Sequence, residues 1–109
     1  MAKKRPESLN ILGIDYRIDY CDKPSEVDVF KRESLWGQVD PWTKTIRIYD
    51  KGNSDEDVWQ TIFHEMLEAF KINLHLACFE GERGHEELDL VAMAINDVLF
   101  RNNLIKLEE

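Results

Sequence analysis

The stretch Trp59-Gln60-Thr61-Ile62-Phe63-His64-Glu65-Met66-Leu67-Glu68-Ala69-Phe70 decides how this chain folds. Its apolar residues Trp59, Ile62, Phe63, Met66, Leu67 and Phe70, with Leu74 beyond, fall at i, i+3, i+4 and i+7. That is the period of an amphipathic helix. Ser54 and Asp57 stand ahead of the run at the spacing of a capping box, with Asp in the acidic position. The spacing predicts one helix from Asp55 to Leu76.

Downstream, Glu80-Gly81-Glu82-Arg83-Gly84 reads as a polar break. A second helix is expected from His85 to Arg101, with a core stripe of Leu88, Val91, Ala92, Ile95, Val98 and Leu99 and a stop at Asn102-Asn103. Upstream, Tyr16-Arg17-Ile18-Asp19-Tyr20 alternates apolar and polar as a half-buried strand does. Lys23-Pro24-Ser25 ends it, and a short helical turn is expected around Val27 to Lys31. Trp36-Gly37-Gln38-Val39-Asp40 and Thr45-Ile46-Arg47-Ile48-Tyr49 are two further strands, joined by Pro41-Trp42-Thr43-Lys44 as a hairpin loop. The fold class is therefore α+β: a small three-stranded, mostly antiparallel sheet followed by two long packed helices. The helix pair is expected to bury Phe63, Met66, Phe70, Leu88, Val91, Ile95 and Leu99.

At 109 residues the chain suits a single domain, with a core over about 11–103 and short terminal tails. Apolar residues make up 43%, enough to bury a core. Acids outnumber bases 22 to 14, a net charge of −8. That argues against direct nucleic-acid binding, which needs a basic face, and against docking on an anionic membrane. The longest apolar run, Leu90 to Ile95, is far short of the roughly 20 residues of a membrane span. No signal-length apolar stretch follows the basic start Met1-Ala2-Lys3-Lys4-Arg5-Pro6. Cys21 and Cys78 lie far apart with no C-x-x-C, which fits a reduced compartment. The expected location is the cytoplasm.

His64-Glu65-Met66-Leu67-Glu68 is the segment that carries chemistry. Residues four apart share a helix face, so His64 and Glu68 can address one ion. Imidazole and carboxylate are both good ligands for Zn²⁺. Glu65 is about 160° around the helix from Phe63, off the core stripe, in the place where the H-E-x-x-H motif carries its general base. The second helix offers His85, Glu86 and Asp89 as a third ligand. With Leu88 as the stripe centre, His85 lies about 60° away, Asp89 about 100° and Glu86 about 160°. His85 is thus nearest the seam. Asp89 is the alternative ligand, or the group that orients a ligand histidine from behind. Glu86 is expected to face solvent or the site mouth. His75 lies about three turns, roughly 16 Å, from His64 and cannot share its ion. Cys78 reads as a small buried apolar residue.

The order of elements, together with Thr61-Ile62-Phe63-His64-Glu65-Met66-Leu67-Glu68-Ala69 and the later His85-Glu86-Glu87-Leu88, resembles small phage- and prophage-associated H-E-x-x-E proteins. These look like reduced relatives of the ImmA/IrrE type of zincin-like metallopeptidase. The resemblance implies a minimal zincin-like fold, with His64 and Glu68 as first and second metal ligands, Glu65 as general base and His85 as the later histidine. The larger family usually has His where Glu68 stands and often an acidic third ligand, so this chain keeps a His₂Glu shell with two positions exchanged.

The expected function is a zinc-dependent metallopeptidase-like hydrolase holding one divalent metal per chain. Glu65 would activate the metal-bound water, and the substrate would be a protein or peptide, with a phage repressor as the class the resemblance implies. An extended substrate is expected beside Thr45 to Tyr49 as an edge strand. Tyr49, His75 and Arg83 are candidate oxyanion donors. The alternative is a non-catalytic metal-binding or interaction protein of a mobile element, in which the ion clips the helices together and Asp89 or Cys78 closes the shell.

Overall fold

The computed structural model describes residues 5–28 and 35–102. In chain order the elements are β1 (Ser8–Ile11), β2 (Ile14–Cys21), a 3₁₀ turn (Pro24–Glu26), β3 (Gly37–Asp40), β4 (Thr45–Tyr49), α1 (Asp55–Leu74) and α2 (Gly81–Arg101). The architecture is α+β, with a four-stranded mixed sheet ordered β1-β2-β4-β3. A 3₁₀ turn stands at Pro24–Glu26, just ahead of the helical turn expected around Val27 to Lys31; residues 29–31 of that expected turn, and Asn103, lie outside the described residues.

The sheet has one strand more than the sequence reading. β1 pairs antiparallel with β2, Ile11 opposite Ile14, across the two-residue turn Leu12-Gly13. Both turn residues have positive φ, 54° and 85°, the geometry whose twist matches a hairpin. Asn10 steadies the turn by accepting from the Gly13 N–H and donating to Asp15. A leucine sits where this turn usually takes Asn or Asp, which hides the hairpin from a composition-based reading.

The strand Thr45–Tyr49 is internal and not an edge. It runs parallel to β2, Ile18 opposite Ile46 and Tyr20 opposite Ile48. On its other side it pairs antiparallel with β3, Val39 opposite Ile46. The edges are β1 and β3. Alternation sends Tyr16, Ile18, Ile46 and Ile48 to one face, where they form a core with Ile11 and with Val58, Ile62 and Ala69 of α1. Ser54 caps α1 by accepting from the Asp57 N–H, as the sequence predicts. Arg5 clamps the turn before it, donating to Asp50, Asp55 and the Asn53 carbonyl.

α2 packs along α1 and starts one turn earlier than expected, at Gly81. The two glycines of the supposed break belong to its first turn. A Cβ on Gly84 would lie 2.1 Å from the Phe79 carbonyl carbon, so only glycine lets the helix fold back this tightly. The buried line of α2 is Gly84, Leu88, Ala92 and Asn96, a pure i, i+4 series. Small side chains and one amide, donating to the Glu56 carbonyl, permit close approach on that side. The helix is therefore rolled away from the expected stripe. Val91 and Val98 are exposed at 39% and 52% instead of buried, while Ile95 and Leu99 are half-buried. Leu88 is fully buried, Phe63 is buried, and Met66 and Phe70 are half-buried.

The roll predicts a clean contrast. Leu88→Ala should cost about 2–5 kcal/mol through transfer and cavity terms, whereas Val91→Ala should stay within about 0.5 kcal/mol. Urea unfolding of both variants checks it; equal losses would refute the placement of α2.

Candidate metal centre

α1 presents His64 and Glu68 one turn apart, and α2 delivers His85 opposite them. One ligand atom from each of His64, Glu68 and His85 lies within 4.8 Å of the others. Glu68 Oε2 is the hub, 3.7 Å from His64 Nε2 and 3.4 Å from His85 Nδ1. The two imidazoles meet edge to face at 4.9 Å between ring centres. Ligands held about 2.1 Å from one tetrahedral ion stand roughly 3.4 Å apart, close to both separations from Glu68 Oε2.

Asp89 takes the other side of His64, with Oδ1 3.1 Å from Nδ1. When Nδ1 carries the proton, it donates to Asp89 and Nε2 is left with its lone pair towards Glu68 and His85. The structure thus puts Asp89 behind His64 and not in the ligand group. Burial lowers the His64 pKa, but the carboxylates of Glu68, Glu65 and Asp89 outweigh it and the net shift is upward. Glu68 is held below its ordinary range, chiefly by His64, against the opposing effect of burial.

Glu65 differs from the expectation that it stands clear of the core. It is 5% exposed, turned under the edge strand β3. Burial pushes its pKa up to about 8, against the attraction of His64; Glu68 adds to the rise, and a backbone hydrogen bond at Val39 opposes it. Room for the carboxyl comes from Gly37, where a Cβ would stand 2.6 Å from Thr61 Cγ2 and 2.9 Å from Glu65 Oε2. Gly37 and Val39 are site residues the sequence reading passed over. The available signal was a lone glycine inside a strand pattern, a mark of close backbone approach.

These groups line a cleft of about 840 Å³. β3 with Leu35 and Trp36 forms one wall; His85, Glu86 and Asp89 of α2 form the other; α1 is the floor from Asp57 to Ile72. Glu86 is exposed at its rim, where it was expected. Tyr49, His75 and Arg83 do not line it. His75 is instead the left-handed C-cap of α1, φ 52°, and Arg83 is an exposed partner of Glu87. Cys78 is exposed, not buried, and stands apart from the ligand group.

The fit at Gly37 is testable without any ligand. Gly37→Ala should cost about 1–3 kcal/mol by overpacking, and adding Thr61→Ser, which removes the Cγ2, should recover part of the loss. Thermal melts of the two variants decide; a silent Gly37→Ala would show that β3 does not rest on Glu65.

Among the described residues, no helix is long and apolar enough to cross a membrane. The chain matches no family model, no curated protein and no solved structure.

Proposed function

We propose that this chain is a zinc-dependent, metallopeptidase-like hydrolase of the ImmA/IrrE-like kind, acting on an extended protein or peptide segment. The observation that carries the reading is the convergence of His64, Glu68 and His85 at an open cleft with the buried acid Glu65 beside them. Two imidazoles and a carboxylate suit Zn²⁺, and three protein ligands are the number that catalytic zinc sites use. The exposed Cys78 and the engagement of Asp89 with the far nitrogen of His64 favour this over a closed structural clip.

A zinc ion held there would lower the pKa of a water molecule and polarise a substrate carbonyl. The chain's own groups do the rest. Glu65, one residue from His64, takes the proton of the attacking water and passes it to the leaving amine. A neighbouring dication favours its carboxylate form and offsets the burial that otherwise keeps it protonated. Asp89 fixes the ring of His64. Among the described residues β3 is paired in the sheet by β4 alone, so an extended substrate can add along its outer side, where the Val39 backbone already hydrogen-bonds to Glu65; this role passes to β3 from the internal strand Thr45–Tyr49. The resemblance adds a phage regulatory protein, such as a repressor, as substrate class.

Protein purified without chelator should carry about one divalent transition metal per chain, zinc above all. His64→Ala should abolish that content, His85→Ala should reduce it strongly, and His75→Ala should leave it unchanged, as read by elemental analysis. Metal-free wild type would end the proposal.

Glu65→Gln separates catalyst from clip. The amide keeps the shape of the side chain and removes the base, so metal content and melting temperature should hold. Turnover of a cleaved library peptide should fall about 10²–10⁴-fold, the usual worth of a general acid–base group. Undiminished cleavage would remove Glu65 as base. A metal-dependent melt with no cleavage by wild type would favour the structural-metal alternative.

A further inference from the structure

The roll of α2 that brings Asp89 to His64 turns a second apolar face outward. Leu90 is 62% exposed, Val98 52% and Val91 39%, and Ala94 lies between them, also exposed. A shallow apolar hollow of about 300 Å³ is cut into this face by Ala94, Ile95, Val98 and Leu99. Scattered exposed apolar residues need no explanation, but a contiguous stripe does. On the helical wheel Leu90 and Val98 lie within about 40° of Ala94, and Glu87 and Arg101 within about 20°. The stripe is thus closed at one end by an acid and at the other by a base, about 21 Å apart along the axis.

We propose that this face pairs with the same face of a second copy, α2 antiparallel to α2, about a twofold axis at Ala94. Two features of the sequence on the helix choose this occupant and this orientation. An antiparallel pair centred on Ala94 sets Glu87 opposite Arg101 twice, and Leu90 opposite Val98 twice, as an isologous interface requires. The residue at the axis is a small one, which lets the helices approach closely. A parallel pair would instead place Glu87 against Glu87 and Arg101 against Arg101, a like-charge arrangement that interfaces avoid. Arg83 and Asp97 already sit beside these charges within the chain, so each end becomes a four-charge cluster of alternating sign. The leucine of one copy faces the hollow beside Val98 of the other. His85 and Asp89 lie on the opposite side of α2, about 140–180° from Ala94, so both clefts stay open in the pair. The interface is one helix wide, at the low end of the size range for specific association.

Sedimentation velocity on the full-length chain, from about 1 to about 200 µM, the range a small interface calls for, should show mass rising from one chain to two. Leu90→Glu should hold the protein as a monomer with an unchanged melt, since the position is exposed. Glu87→Arg and Arg101→Glu should each weaken the dimer by about tenfold or more, and the double variant should restore most of the affinity. Three results would each overturn the proposal: a wild type that stays monomeric throughout, as it would if another part of the chain covered the stripe; a dimer that survives Leu90→Glu; or a double variant no tighter than the singles.

Discussion

Burying a carboxylic acid in the middle of a helix is the constraint around which this small protein is arranged. An ionised carboxylate out of water is costly unless it is paired or gives up its charge, and burial pushes the Glu65 pKa up to about 8. The burial itself is done by β3, a four-residue edge strand that can settle on α1 because Gly37 has no side chain. β3 is in turn held by β4, whose isoleucines form the middle of the core under α1. The position of one acid therefore depends on a glycine, on a hairpin and on the central strand.

The second helix is subject to a matching constraint. His85 reaches Glu68 only if α2 starts almost on top of the chain reversal at Phe79, and Gly84 is what permits that. Ala92 and Asn96 continue the close approach along α1. Glycines thus set both walls of the cleft, one in a strand and one in a helix, at positions where neither is asked for an unusual backbone angle.

The α+β class, the capped helix with His64 and Glu68 on one face, and the β3–β4 hairpin were all legible in the sequence, because periodicity and capping are local signals. Helix angles put His85 nearest the seam, and it stands 3.4 Å from Glu68; of the two places open to Asp89, the one beside a histidine matches its 3.1 Å contact with His64 Nδ1. What escaped were features set by packing between elements. Leu12-Gly13 lacks the usual turn chemistry, so β1 was missed. The parallel pairing of β2 with β4 has no local signature, so Thr45–Tyr49 was taken for an edge. The hydrophobic stripe took in Val91 and Val98 and left out Gly84 and Asn96, which together with Leu88 and Ala92 make the buried line of α2. Glu65 was placed by a helical wheel, which knows nothing of the strand that covers it.

The parallel pairing of β2 with β4 also bears on how the chain reaches this state. β1–β2 and β3–β4 are hairpins that close over a few residues, but joining them requires Ile18 to find Ile46 across 28 positions of sequence. Closing such a loop costs chain entropy before any contact repays it, and non-local pairings slow folding. α1 has no complete surface to dock on until the two hairpins are side by side, since its core partners come from both. This topology makes the meeting of the two hairpins the expected kinetic bottleneck, and in the native state the backbone amides of β2 and β4, each enclosed on both sides, should exchange with solvent more slowly than those of the edge strands β1 and β3.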